Sequence, residues 1–185
     1  YKIINFMKNV VHVIPSITEE ASGPSYSVWR LSESLLAKSV PVILLALDSK
    51  HVGKSTAFFK PFKMSLGPRF LVHDRGLGMS NRIKLWLVKE ANNKNIKLLH
   101  NHGMWQFNSL YPGWVARKFK IPYLVSPRGS FSDYAMSHGS RFKKLFWYAL
   151  QKPSFSDVSV FHATSMSEYK SIRKLGFKQP VAVIP

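Results

Sequence analysis

Short β-branched or aliphatic runs alternate along the chain with segments whose apolar residues recur every three or four positions. "NVVHVIP" (residues 9–15) is a β-branched run stopped by proline. In "SYSVWRLSESLLAKS" (25–39), Val28, Leu31, Leu35 and Leu36 share one helical face. "VPVILLALD" (40–48) is apolar almost throughout, as in a strand covered on both faces of a parallel sheet. Residues 49–78 are less regular, with at most a short strand near "RFLVH". The alternation then resumes with a helix over 81–93, a strand over 96–101, a helix over 109–119 and a strand over 122–126. A helix over 141–151, a strand over 158–164, a helix over 165–176 and a strand over 180–185 complete it, with Gly176 as a C-cap. This pattern predicts one α/β domain with a Rossmann-like, doubly wound, mostly parallel sheet.

Composition narrows the partners more than the fold. The 185 residues are 45% hydrophobic, enough for a core, and include no cysteine, which excludes disulfide and thiolate chemistry. No apolar run reaches the roughly 18 residues of a membrane-spanning helix. Nothing resembles a secretory signal, so the expected location is cytoplasmic. Charge is the unusual feature: 27 Lys and Arg against 9 Asp and Glu leave +18. Such a surface favours a polyanion, whether nucleic acid, anionic lipid headgroups or phosphorylated small molecules, unless it reflects only a basic proteome.

In a doubly wound sheet, ligands bind beyond the carboxyl ends of the strands. The segments expected there are "SITEEASGPS", "HNHGMWQ", "SPRGS" and "ATSMSE", all rich in small or polar residues. In the first, Gly23 lets backbone N–H groups approach a ligand at a helix start, and Ser25 is either a ligand contact or that helix's N-cap. No G-x-G-x-x-G is present. In the second, His100 and His102 share a strand face. They make a metal pair without an evident third ligand, or one packs while the other bonds a ligand. Gly103 keeps the turn open, and Trp105 either stacks on a sugar ring or fills the core; Gln106 follows it. In the third, Arg128 sits on a tight turn beside Gly129 and Ser130: it either makes bidentate bonds with phosphate or carboxylate, or is a structural salt bridge or a solvated side chain. In the fourth, Ser165 and Glu168 match a capping box, and Ser165 could still face the crevice.

These segments, in their order and spacing, resemble glycosyltransferase family 4, which has the GT-B fold. The carrying motifs are "HVIPSI" with "SGPS", "HNHGMW", "VSPRGSFSDYAM" followed by "KKLFWYALQ", and "HATSMSEYKSIRKLGFKQPVAVIP". The resemblance covers the N-terminal domain from about Met7 to the end. It implies a retaining transfer of a sugar from a nucleotide-sugar donor to a glycan or lipid-linked acceptor, without a metal or other cofactor, in surface polysaccharide or glycolipid assembly. It puts Gly23 at a lip of the cleft near the donor phosphates, and His102, Gly103 and Trp105 near the sugars, with His102 and Arg128 as the catalytic candidates. Arg128 stands where many relatives carry a histidine. It can stabilise charge on the leaving diphosphate, but as a permanent cation it is a poor general base. In the family "VAVIP" leads into an asparagine-glycine turn and a second, donor-binding domain. Residues 1–185 are therefore expected to be the acceptor-side half of a two-domain enzyme, inactive alone.

"SRFKKLFWYAL" interleaves Arg141, Lys143 and Lys144 with Phe142, Phe146, Trp147 and Tyr148. Such a helix either lies on an anionic membrane surface, making the protein peripheral on the inner face of the cell membrane, or buries its aromatics in the core. Two other readings compete with the transferase. A basic α/β binding module for nucleic acid or membrane would explain the charge, but no nucleic-acid motif is present. An epimerase would want a dinucleotide fingerprint and a Tyr-x-x-x-Lys pair, and neither is evident.

Overall fold

The computed structural model describes residues 8–15, 17, 22–47, 59–61, 78–138 and 141–185. Among the described residues, seven strands form one sheet: β1 Asn9–Val13, β2 Val42–Ala46, β3 Phe59–Pro61, β4 Ile96–His102, β5 Tyr123–Ser126, β6 Val160–Ala163 and β7 Val181–Val183. Their spatial order is β3-β2-β1-β4-β5-β6-β7, and every pairing is parallel. The order reverses between β1 and β4, so the crevice of this doubly wound sheet opens beyond the ends of those two strands. The strand expected near "RFLVH" lies outside the described residues.

The helices are α1 Ser22–Ala37, α2 Asn81–Asn92, α3 Tyr111–Phe119, α4 Asp133–Ser137, α5 Arg141–Phe146, α6 Lys152–Ser154 and α7 Met166–Lys174. α2 shows how pattern makes element: Ile83, Leu87 and Ala91, four residues apart, form its buried stripe. Ser80 caps it, its Oγ accepting from the Ile83 N–H at 3.3 Å. α1 begins three residues before the expected start. Pro24 falls in its first turn, where a missing N–H costs no helical bond. Ser25 is therefore buried inside the helix and is not its N-cap. The expected helix over 141–151 is interrupted: α5 passes into a π turn, Trp147–Gln151, before α6.

Period-two alternation gives the sheet two unlike faces. Val11, Val13, Leu45, Leu99, Tyr123, Val125, Phe161 and Ala163 join α2, α3 and α7 in the larger core. There Phe131, Trp147, Phe155, Phe161 and Phe177 meet mostly edge to face or tilted, with centroids 4.9–6.3 Å apart. The opposite face packs Ile14, Leu44 and Ala46 against Val28 of α1. His12, His100, His102, Ser126 and His162 alternate with the first set, so all five fall on this second face.

Gly113 of α3 sits in a close contact with α6. A Cβ there would stand 2.1 Å from the Ser154 carbonyl oxygen. Gly113→Ala is expected to destabilise by about 2 kcal/mol, through forced separation of α3 and α6. That corresponds to a melting temperature lower by roughly 4–8 °C, readable by thermal circular dichroism. At an uncrowded helix position the same change would be stabilising.

Candidate functional site

The strand ends carry a buried polar row. His12 pairs in register with His100 across β1 and β4, and His102 pairs with Ser126 across β4 and β5. Two hydrogen-bonded groups result. His12 Nδ1 and His102 Nε2 are 2.9 Å apart, one donating and the other accepting. His100 Nε2 lies 2.8 Å from Ser126 Oγ, which lies 2.8 Å from His162 Nδ1. His162 Nε2 in turn donates to the Ile184 carbonyl at 2.9 Å. His12 Nε2 and His102 Nδ1 are buried without a hydrogen-bond partner.

Burial first, and the charges around them second, favour the neutral form of His12, His100 and His102. Desolvation lowers His12 to about 4, with a further push from the Arg128 charge. His100 is driven well below the ordinary imidazole value by burial first, then by His12, His162 and Arg128. Burial also dominates at His102, followed by His100, His12, Arg128 and His162.

Arg128 stands over this row on the turn that leaves β5. Both Arg128 (φ 53°) and Gly129 (φ 78°) are left-handed, a conformation costly for arginine and free for glycine. Glu168 of α7, only 6% exposed, holds the turn from behind. Its Oε1 accepts from the Gly129 N–H at 2.7 Å, and its Oε2 accepts from the Thr164 N–H at 2.7 Å and Oγ1 at 3.0 Å. The capping box is thus half formed: Ser165 Oγ accepts from the Glu168 N–H at 3.2 Å, but the carboxylate reaches across to another loop. Burial lowers the Arg128 pKa, against a smaller opposing effect of Glu168, and its Nε has no hydrogen-bond partner.

The remaining predicted residues divide between crevice and scaffold. Gly103 is left-handed (φ 79°) and donates its N–H to the Ser126 carbonyl at 2.9 Å, joining the histidine strand to the arginine turn. Trp105, also left-handed (φ 74°), donates its N–H to Gln151 Oε1 at 3.2 Å. Its ring leans on Trp147 with Lys143 Nζ 4.3 Å from its centroid, and it lines a cavity of about 420 Å³ with Met136, Lys144 and Leu175. The core-filling expectation for this tryptophan holds in part: its ring is half-buried against the larger core, and the rest faces the cavity. Gln106 is turned inward, its side chain against Gly78 and its Oε1 buried without a partner. Ser130 closes the turn, its N–H donating to the Pro127 carbonyl at 3.1 Å. Gly23 is exposed on the first turn of α1, and Ser165 is the exposed cap of α7.

Three expectations change. His102 lies beneath the crevice floor at 1% exposure, because alternation along β4 turns it onto a covered face. His100 is buried beside it, so neither histidine of the pair presents itself to solvent. The third imidazole missing from the sequence reading is His12, ninety positions away and adjacent only through β1–β4 pairing. Sequence reasoning also passed over Gln151, whose Oε1 takes both the Trp105 N–H and the Ser109 hydroxyl, at 3.2 and 3.0 Å.

Of the aromatics in α5 and the π turn, Phe146 and Trp147 are core, Phe142 is half-buried and Tyr148 (68%) is exposed, as is the aliphatic Leu145 (63%) next to Lys144. No helix of the described residues is long and apolar enough to cross a membrane.

Residues 22–185 match the family described as glycosyl transferase 4-like domain. No curated protein matches the chain. Among solved structures, a protein described as a UDP-N-acetylglucosamine 2-epimerase from Listeria monocytogenes is similar at TM-score 0.59 and 10% identity, over 95% of this chain and 43% of that one. A second UDP-N-acetylglucosamine 2-epimerase gives 0.57 and 11%, over 96% and 46%. MurG of Acinetobacter baumannii gives 0.53 and 10%, over 95% and 45%. At such identities the likeness is one of fold. The chain spans a little under half the length of these structures.

Proposed function

This chain belongs to the glycosyl transferase 4-like domain family, and on that premise we propose that it forms the acceptor-side, N-terminal half of a retaining glycosyltransferase. The enzyme moves a hexosyl group from a nucleotide-sugar to a glycan or lipid-linked acceptor in surface polysaccharide or glycolipid assembly. A second domain holds most of the donor, and the transfer itself needs no metal. The observation that carries this reading is the Arg128 turn, a strained cation at the mouth of a doubly wound sheet, held by Glu168 through the Gly129 N–H.

The chemistry follows from charge. As the glycosidic bond to the donor breaks, negative charge grows on the departing diphosphate. A fixed, partly desolvated guanidinium stabilises that charge with little reorganisation at the moment of reaction. Gly129, Ser130 and Ser165 flank the donor side, and Gly23 offers the first turn of α1 as a lip. Gly103 leaves the turn open, and Trp105 beside Lys143 gives a flat apolar surface with a cation above it, suited to an acceptor sugar. Lys144, Leu145 and Tyr148 carry the weak attraction to an anionic membrane at which a lipid-linked acceptor would be met.

The test is transfer measured with the natural protein, donor domain included. Trp105→Ala is expected to raise the acceptor KM about tenfold, a loss of about 1.4 kcal/mol of sugar binding, and to change kcat less. An unchanged acceptor KM with a lowered melting temperature would make Trp105 a packing residue only.

A further inference from the structure

The three buried histidines have no part in the transfer chemistry above, and they are arranged as ligands. We propose that His12, His100 and His102 bind one borderline transition-metal dication of the Zn2+ type, each through a single imidazole nitrogen. The site is separate from donor and acceptor binding.

Position carries the inference first. One nitrogen from each of the three residues lies within 4.8 Å of the others, and all three side chains are buried. Two adjacent parallel strands hold them: His12 faces His100 in register, and His102 follows two residues later on the same face. Zn–N bonds of about 2.0–2.1 Å put tetrahedral ligands about 3.3 Å apart, so small ring rotations close the cluster.

The donor set decides the class of ion. Imidazole nitrogens suit Zn2+, Co2+ or Ni2+, whereas Ca2+ and Mg2+ require oxygen ligands that this cluster lacks. Three histidines leave a fourth tetrahedral position for water. Neutral imidazoles bind without first losing a proton. The 2.9 Å contact between His12 and His102 would be exchanged for metal bonds. His100 has its Nε2 bonded to Ser126 Oγ, a second layer that fixes the ring and leaves Nδ1 to ligate. His12 Nε2 and His102 Nδ1 are the unpartnered buried atoms of the cluster.

One charge opposes the ion. The Arg128 guanidinium acts on all three histidines. It weakens the site and also supplies a control of opposite sign, because Arg128→Ala should bind more tightly.

Co2+ serves as the probe because tetrahedral nitrogen coordination gives intense visible absorption. The full chain, stripped with chelator, is titrated with Co2+ and then displaced by Zn2+, and its melting temperature is followed with Zn2+ alone. One Co2+ per chain with tetrahedral absorption is expected. His12→Gln and His102→Gln should each weaken binding at least tenfold, exposed His138→Gln should leave it unchanged, and Arg128→Ala should tighten it several-fold. Saturating Zn2+ should raise the melting temperature of the unaltered chain, an arm that survives if the histidine variants fail to fold. Absence of a stoichiometric Co2+ complex, equal binding by folded His12→Gln and His102→Gln, or no Zn2+ effect on melting would each overturn the proposal.

Discussion

Arg128→Ala is expected to lower transfer by the natural, full-length protein about 100- to 1,000-fold, a loss of about 3–4 kcal/mol of transition-state stabilisation. The fall should be mainly in kcat, because diphosphate charge develops as the bond breaks. Stability should move by less than about 1 kcal/mol, since the turn is anchored by Gly129 and Glu168, and no hydrogen bond reaches the arginine's buried Nε. Removing a non-glycine residue from φ 53° relieves no strain when alanine replaces it, so the backbone cost is common to both proteins. Arg128→Lys should recover part of the rate, as a point charge without the planar fork. Unchanged kcat with unchanged melting would take Arg128 out of the site. A fall in activity that merely tracked loss of folded protein would make its role structural.

Acidification should unfold the metal-free chain steeply. His12 titrates at about 4 in the fold against 6.5 when unfolded, so between those values the unfolded chain binds more protons. Stability from this group is therefore complete above about pH 6.5 and is lost as pH falls toward 4, by about 3 kcal/mol from His12 alone. His100 and His102 are shifted in the same direction and add to the loss. Urea unfolding in chelator at pH 7.5 and pH 4.5 measures it. His12→Gln, lacking the titrating group, should show a smaller difference between the two. A stability that stayed flat over this range would mean that the imidazoles are solvated.

The strands and long helices were legible because each solves a local problem. The β-branched run of β1, the apolar run of β2 and the four-residue stripe of α2 bury one face or both, whatever surrounds them. Contextual features were not legible. Gly23-Pro24 looks like a loop to propensity, yet both residues fit a first helical turn. α4 has five residues and no buried one, so no period announces it. The π turn at Trp147–Gln151 keeps an apolar pattern continuous while shifting which side chains face inward.

The site divides along the same line. The tight turn at Arg128-Gly129 was readable from a glycine just past a strand end, and both residues are left-handed there. His102 was readable as a polar residue in a strand but not as a buried one. His12 hides within "NVVHVIP" as one polar position in a core strand, and its meaning depends on β1 lying beside β4. Glu168 was read as the cap of its own helix. Its carboxylate instead ties α7 to the Arg128 turn, a contact over 39 positions that no local rule anticipates.

The measurement that bears most directly on the proposed function is acceptor-dependent release of nucleoside diphosphate by the natural protein. It would be offered a panel of nucleotide-sugars with glycan and lipid-linked acceptors, in chelator and in the presence of anionic vesicles. The expected result is release from a narrow set of donors only when acceptor is present, with the anomeric configuration of the transferred sugar retained and the rate collapsing in Arg128→Ala. Failure to release diphosphate from any donor, together with tight binding to DNA or RNA that weakens steeply with salt, would contradict it and make this basic fold a nucleic-acid-binding module.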